Sequence, residues 1–98
     1  MKITKNLNGN SLNVALEGRL DTTTAPELEQ SLKESMDSAN DLTLDFSKLD
    51  YISSAGLRVL LSAHKSMAKK GGMKIVNVND VVNEVFDVTG FADILNIE

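Results

Sequence analysis

The sequence contains no cysteine, one proline, one histidine and no apolar run near the length of a membrane span. Without cysteine there can be no disulfide and no thiolate metal site, so an apolar core must hold the fold, and a cytoplasmic location is expected. The opening stretch MKITKNLNGNSLNVAL has no uninterrupted apolar segment behind its first lysine. A span needs about eighteen apolar residues, so neither a signal peptide nor membrane insertion is expected. Cationic clusters are also missing, with 10 Lys and Arg against 14 Asp and Glu and a net charge of −4. Contact with a phosphodiester backbone needs clustered cations to displace counterions, so no direct nucleic-acid partner is expected.

The motifs of catalysis are missing in the same way. GGMK lacks the spacing and the Lys-Ser/Thr pair of a P-loop, and no G-x-G-x-x-G follows a strand-like run. SSAGL is not a G-x-S-x-G elbow, because Ile52 and Ala55 flank the serine pair. Asp21, Asp45, Asp50, Asp80 and Asp87 are scattered, with no D-x-D-x-D loop and no helical pair of ligands. They read as caps and turn residues. The remaining dyad, Ser54 with His64, is ten helical residues apart, about 15 Å along the axis, beyond hydrogen-bond reach. His64 lies near the middle of an apolar stripe and reads as a half-buried residue hydrogen-bonded to a neighbour. No catalytic residue, cofactor or metal is expected.

What is present is a balance of 42% hydrophobic and 24% charged residues over 98 positions, the make-up of one folded domain spanning 1–98. Ile3, Lys5, Leu7 and then Leu12, Val14, Leu16 alternate around Asn8-Gly9, predicting a hairpin. Thr24 stands three residues before Glu27 at capping-box spacing, with Pro26 in the first turn. Ala25, Leu28, Leu32, Met36 and Ala39 then give a helix its inward face. Leu42, Leu44 and Phe46 predict a third strand ending near Ser47-Lys48. A second helix is expected from Ala55 to Lys70, with Leu57, Leu60, Leu61, Met67 and Ala68 inward, Lys69 and Lys70 at its dipole's negative end, and Gly71-Gly72 as the stop.

MKIVNV reads as a strand covered on both faces. A third helix follows, capped by Asn79 or Asp80, with Val81, Val82, Val85 and Phe86 inward and Gly90 at its end. FADILNIE is too short to assign and has room for a last helical turn followed by an edge strand. Strand, strand, helix, strand, helix, strand, helix implies an α/β fold with a mixed sheet and right-handed crossovers.

Between the third strand and the second helix stands DYISSAGLRVLL. If the helix begins at Ala55, Ser54 is its N-cap and faces the free N–H groups of the first turn. One reading leaves Ser54 as a cap and Ser53 as a turn residue. The other notes that a phosphate on Ser54 would be stabilised by the helix N-terminus and would spoil a surface built for a neutral hydroxyl, with Gly56 letting a partner approach the backbone.

These residues resemble a family, the anti-sigma-factor antagonists, small single-domain members of the STAS superfamily. GRLDTTTAPEL resembles the family segment leading into the first helix, and LDFSKLDYISSAGLRVLL its strand, loop and helix around a regulatory serine. The similarity extends over nearly the whole chain, to VFDVTGFADIL. It implies a STAS fold, a mixed sheet with helices mainly on one face.

It also implies that Ser54 is phosphorylated and that Asp21, Thr22, Ser53, Ala55, Gly56, Leu57 and Arg58 form the partner surface around it. Ser53 stands where many members carry aspartate. The implied mechanism is partner switching. The unphosphorylated form binds a serine kinase that is also the anti-sigma factor and frees a sigma factor; phosphorylation of Ser54 reverses this, and a serine phosphatase resets it. The competing expectation is a non-enzymatic STAS adaptor subunit of a lipid-transport or stress-signalling complex. A small enzyme built on Ser54 lacks an assignable base.

Overall fold

The computed structural model describes residues 1–98. Its elements follow the expected order: β1 (Lys2–Asn8), β2 (Ser11–Leu20), α1 (Ala25–Met36), β3 (Asp41–Ile52), α2 (Ser54–Met67), β4 (Met73–Val76) and α3 (Asp80–Thr89). The strands lie in the order β1-β2-β3-β4, with β1 antiparallel to β2 and the other pairs parallel. The tail does both things its sequence allows. Phe91–Asp93 form a short 3-10 turn, and Ile97 then bridges Ile75 in parallel.

The hairpin turn is Gly9-Asn10 rather than Asn8-Gly9, since Asn8 still pairs with Ser11 and Gly9 alone takes a positive φ, 64°. Leu12, Val14, Leu16 and Leu20 of β2 and Leu42, Leu44, Phe46, Leu49 and Ile52 of β3 are buried beneath the helices. The third strand does not stop at Ser47; it runs to Ile52. Opposite Ala15 and Glu17 stand Asp45 and Lys48, and opposite Gly18 and Arg19 stand Leu49 and Tyr51, so β3 carries an extra residue at each place. Each extra residue flips the side-chain parity. Buried positions are then spaced by three, from Phe46 to Leu49 to Ile52, and a period-two reading loses the strand.

The opposite sheet face is open, carrying exposed Asn13, Glu17 and Lys74. β4 is therefore covered on one face only: Met73 and Ile75 are buried while Lys74 is exposed. In α2 the buried face holds Leu57, Leu60 and Met67 as expected, plus Val59 and Ala63, while Ala68 is exposed. Helix α1 packs against α2, which is why that helix needs a wider apolar face than the sheet alone would require.

Lys70 does not serve its own helix. Its Nζ donates to the carbonyls of Met36, Asp37 and Ala39 at 2.8, 3.4 and 3.0 Å, closing the C-terminal end of α1. In α3, Asn79 is the cap, accepting from Val82 N at 2.8 Å and donating to the Leu49 carbonyl at 2.8 Å. Val82 and Phe86 face the core, and the Phe86 ring lies 6.4 Å from Phe46, centroid to centroid. Val81 is 57% exposed and does not face inward.

Candidate functional site

Two strand-to-helix junctions meet at the carboxyl ends of β2 and β3. Leu20 and Ile52 are register partners there, and Ser53 N donates to the Leu20 carbonyl at 2.9 Å. That bond sets Asp21 and Thr22 beside Ser53 and Ser54.

At the first junction the expected capping box is not formed: Thr24 makes no side-chain cap to α1. Asp21 organises the turn instead. Its Oδ1 accepts from Thr23 N at 3.0 Å and Thr24 N at 3.1 Å, while Thr24 Oγ1 donates to the Arg19 carbonyl at 2.8 Å and accepts from Asp21 N at 2.9 Å. The Thr24 N–H, with further help from Thr23 and Arg19, holds the Asp21 carboxyl below the usual aspartate range against some desolvation. Thr22 is exposed.

At the second junction the expected roles of the serines are exchanged. Helix α2 starts at Ser54, and Ser53, in extended conformation, is the N-cap, its side chain accepting from Gly56 N at 3.4 Å. Ser54 is therefore the first helical residue; it is exposed, and no hydrogen bond of the fold uses its hydroxyl. The serine chemistry divides cleanly, one hydroxyl for the fold and one for the solvent.

Gly56 is not open to a partner. It is buried, and a Cβ there would sit 2.7 Å from Leu20 Cγ and 2.9 Å from Ile52 Cγ1. Its missing side chain lets α2 enter tight against the two strands. Leu57 is 3% exposed and belongs to the core. Gly56 and Leu57 thus shape the surface from beneath, while Asp21, Thr22, Ser53, Ser54, half-buried Ala55 and exposed Arg58 reach it.

Thr22, Ala25, Pro26, Glu29 and Gln30 face Ala55, Arg58 and Val59 across a shallow groove of about 490 Å³. One further feature at the ends of β2 and β3 is not legible in the sequence. Arg19 Cζ lies 4.4 Å from the centre of the Tyr51 ring, and Arg19 Nε is 3.8 Å from Asp21 Oδ2. The pairing depends on the second bulge of β3, which puts Tyr51 rather than Asp50 opposite Arg19.

His64 lies on unbroken helix ten residues beyond Ser54, so the two cannot form a nucleophile and base. It also lacks the expected neighbour: Nδ1 is buried without a hydrogen-bond partner.

A family model described as the STAS domain matches residues 2–98. The chain belongs to the STAS domain family. This STAS domain is 34% identical over 99 residues to BtrV of Bordetella bronchiseptica, named as a candidate anti-sigma factor antagonist, covering 99% of this chain and 85% of that protein. It is 32% identical over 91 residues to the anti-sigma-B factor antagonist of Bacillus subtilis, covering 92% and 84%. Among solved structures, an anti-sigma factor antagonist from Mycobacterium paratuberculosis superposes with a TM-score of 0.88 at 24% identity, over 98% of this chain and 83% of that one. The last comparison bears on the fold alone. No helix of this STAS domain is long and apolar enough to cross a membrane.

Proposed function

We propose that this STAS domain is an anti-sigma factor antagonist that works by partner switching, with Ser54 as the phosphorylated residue. Unphosphorylated, it binds a serine kinase that is also the anti-sigma factor and so frees a sigma factor. The kinase moves the γ-phosphoryl group of ATP onto Ser54 Oγ, whose proton is lost, and ADP leaves. A serine phosphatase hydrolyses the Oγ–P bond to restore the hydroxyl and release phosphate. The domain itself is a binding module in this cycle and not a catalyst.

The observation that carries the proposal is the division of labour at the start of α2, where Ser53 holds the cap and Ser54 is exposed with its hydroxyl unused. A kinase can therefore modify Ser54 without taking a hydrogen bond from the fold. Phosphorylation adds about 1.5 to 2 negative charges, which the helix N-terminus tolerates but a docked surface fitted to a hydroxyl does not. A thousandfold loss of affinity is about 4 kcal/mol, within reach of one misplaced phosphate that must be desolvated. The names of the relatives at 32% and 34% identity favour this role.

The test combines intact mass and peptide mapping with calorimetry. Incubation with ATP and a lysate of the source cells should add a phosphate that maps to Ser54 and is absent from Ser54→Ala. Against the partner so found, Ser54→Ala should keep its affinity and Ser54→Asp should lose it. No phosphate gain, with a control substrate phosphorylated in the same lysate, would point to a constitutive adaptor.

A further inference from the structure

We propose that Arg58 is the internal receptor for the phosphate on Ser54, holding it against the domain's own helix. The inference rests on Ser54 being the modified residue and concerns where its phosphate goes. Ser54 is the first residue of α2 and Arg58 stands four residues on, both of them exposed. Residues at this spacing share a helix face with Cβ atoms about 5–6 Å apart. Helical side chains lean toward the N-terminus, so Arg58 reaches back over the turn that Ser54 begins.

Arg58 is also uncommitted. The ion pairs of the fold join Lys5 to Glu34, Arg19 to Asp21 and Lys33 to Glu29, and none includes Arg58. Glu29 shares the groove with Arg58, but it lies 3.1 Å from Lys33 Nζ. Arg19, the other arginine, is held by Tyr51 and Asp21. The first turn of α2 contains no acid to compete, and position 53 is a serine whose side chain turns to the Gly56 N–H. A planar guanidinium matches a phosphate with two parallel N–H donors.

The consequence is a reversal of the local charge. Without phosphate the face presents Arg58 as a free cation next to a neutral hydroxyl. With phosphate, the guanidinium is occupied and the pair carries a net negative charge, roughly −1. A partner that supplies a carboxylate to Arg58 then loses its contact and meets repulsion at the same spot.

The experiment installs phosphoserine at position 54 during translation by an expanded genetic code, so no native kinase is required. The phosphate is titrated by phosphorus NMR in the wild-type background, in Arg58→Gln and in Arg58→Lys, with circular dichroism to verify each fold. The second ionisation should fall about 0.3 pH unit lower with Arg58 than with Gln, a twofold change in proton affinity. Arg58→Lys should retain part of that difference, and 1 M salt, with a Debye length of about 3 Å, should shrink it. Coincident midpoints in wild type and Arg58→Gln would overturn the proposal. The two readings fail separately: a midpoint difference without phosphorylation by cell lysate leaves the receptor standing and removes the switch, and the reverse pattern does the opposite.

Discussion

At the entry to α1 the Asp21 carboxylate takes two backbone N–H groups at 3.0 and 3.1 Å, whereas at the entry to α2 one serine hydroxyl takes a single N–H at 3.4 Å. Both junctions leave a parallel pair of strands at the same rim, and both must satisfy the free donors of a helix start. At the first, a charged group takes the Thr23 and Thr24 N–H groups just ahead of the helix, the Thr24 hydroxyl bridges back to the Arg19 carbonyl, and Pro26 removes one donor from the opening turn. The second relies on packing from below, through Gly56 against Leu20 and Ile52, and leaves its polar surface lightly bonded. A junction held by its core can have its surface chemistry changed without unfolding, which suits the modification proposed at Ser54.

The largest expected effect follows from that reliance on packing. Gly56→Val places branched carbons where a single Cβ would already lie 2.7 Å from Leu20 Cγ. Neither neighbour can yield easily, because Leu20 is 0% and Ile52 1% exposed. Overpacking should cost about 3 kcal/mol, with Gly56→Ala nearer 1–2 kcal/mol, measured by urea denaturation. Unchanged stability in the valine variant would mean that α2 can lift from the sheet, and the contrast between the junctions would collapse.

Next in size is the first junction, where the carboxylate does the holding. Asp21→Ala removes the acceptor of two N–H groups and should lower Tm more than any single hydroxyl deletion at the second junction. Asp21→Asn keeps a carbonyl acceptor and should lose less. The charge has its own signature in acid. The folded pKa of Asp21 is depressed below the ordinary 3.8, so its contribution is fully present above that pH and is lost as pH falls through the folded value. Acid denaturation of Asp21→Asn should therefore show a shallower slope below pH 3.8. Asp45, also depressed, chiefly by the Asn77 side chain and the Ser47 N–H, should contribute slope of the same sign. Identical acid slopes in wild type and Asp21→Asn would show that the carboxylate's charge plays no part.

The sequence was legible where periodicity is local and less so where geometry depends on a neighbour. Leu12, Val14 and Leu16, or Leu28 and Leu32, announce their faces because nothing disturbs the repeat. β3 became illegible at Ser47, since a bulge is defined by the strand opposite, and with it went the pairing of Arg19 with Tyr51. Five apolar residues crowd α3, so periodicity alone turns Val81 inward, but the residues that enter the core are Val82 and Phe86, with the Phe86 ring against Phe46. The neighbourhood of Ser54 was visible in the motif, while the assignment of cap to Ser53 was not. Two adjacent serines offer the same chemistry, and the backbone angle of residue 53, with φ −102° and ψ 175°, decides between them.

The smallest effect tests that decision. Ser53→Ala removes a cap whose bond is at the long end of the hydrogen-bond range. The loss should be about 0.5 kcal/mol, the low end for a capping serine, and a few degrees in Tm. Ser54→Ala should cost less still, because no hydrogen bond of the fold depends on its hydroxyl. The order of the two variants carries more weight than either value. If Ser54→Ala proved the more destabilising, the cap would belong to Ser54, and a phosphate placed there would weaken α2 as well as its docking surface. With the order as expected, phosphate on Ser54 leaves the start of the helix intact and alters only what a partner meets.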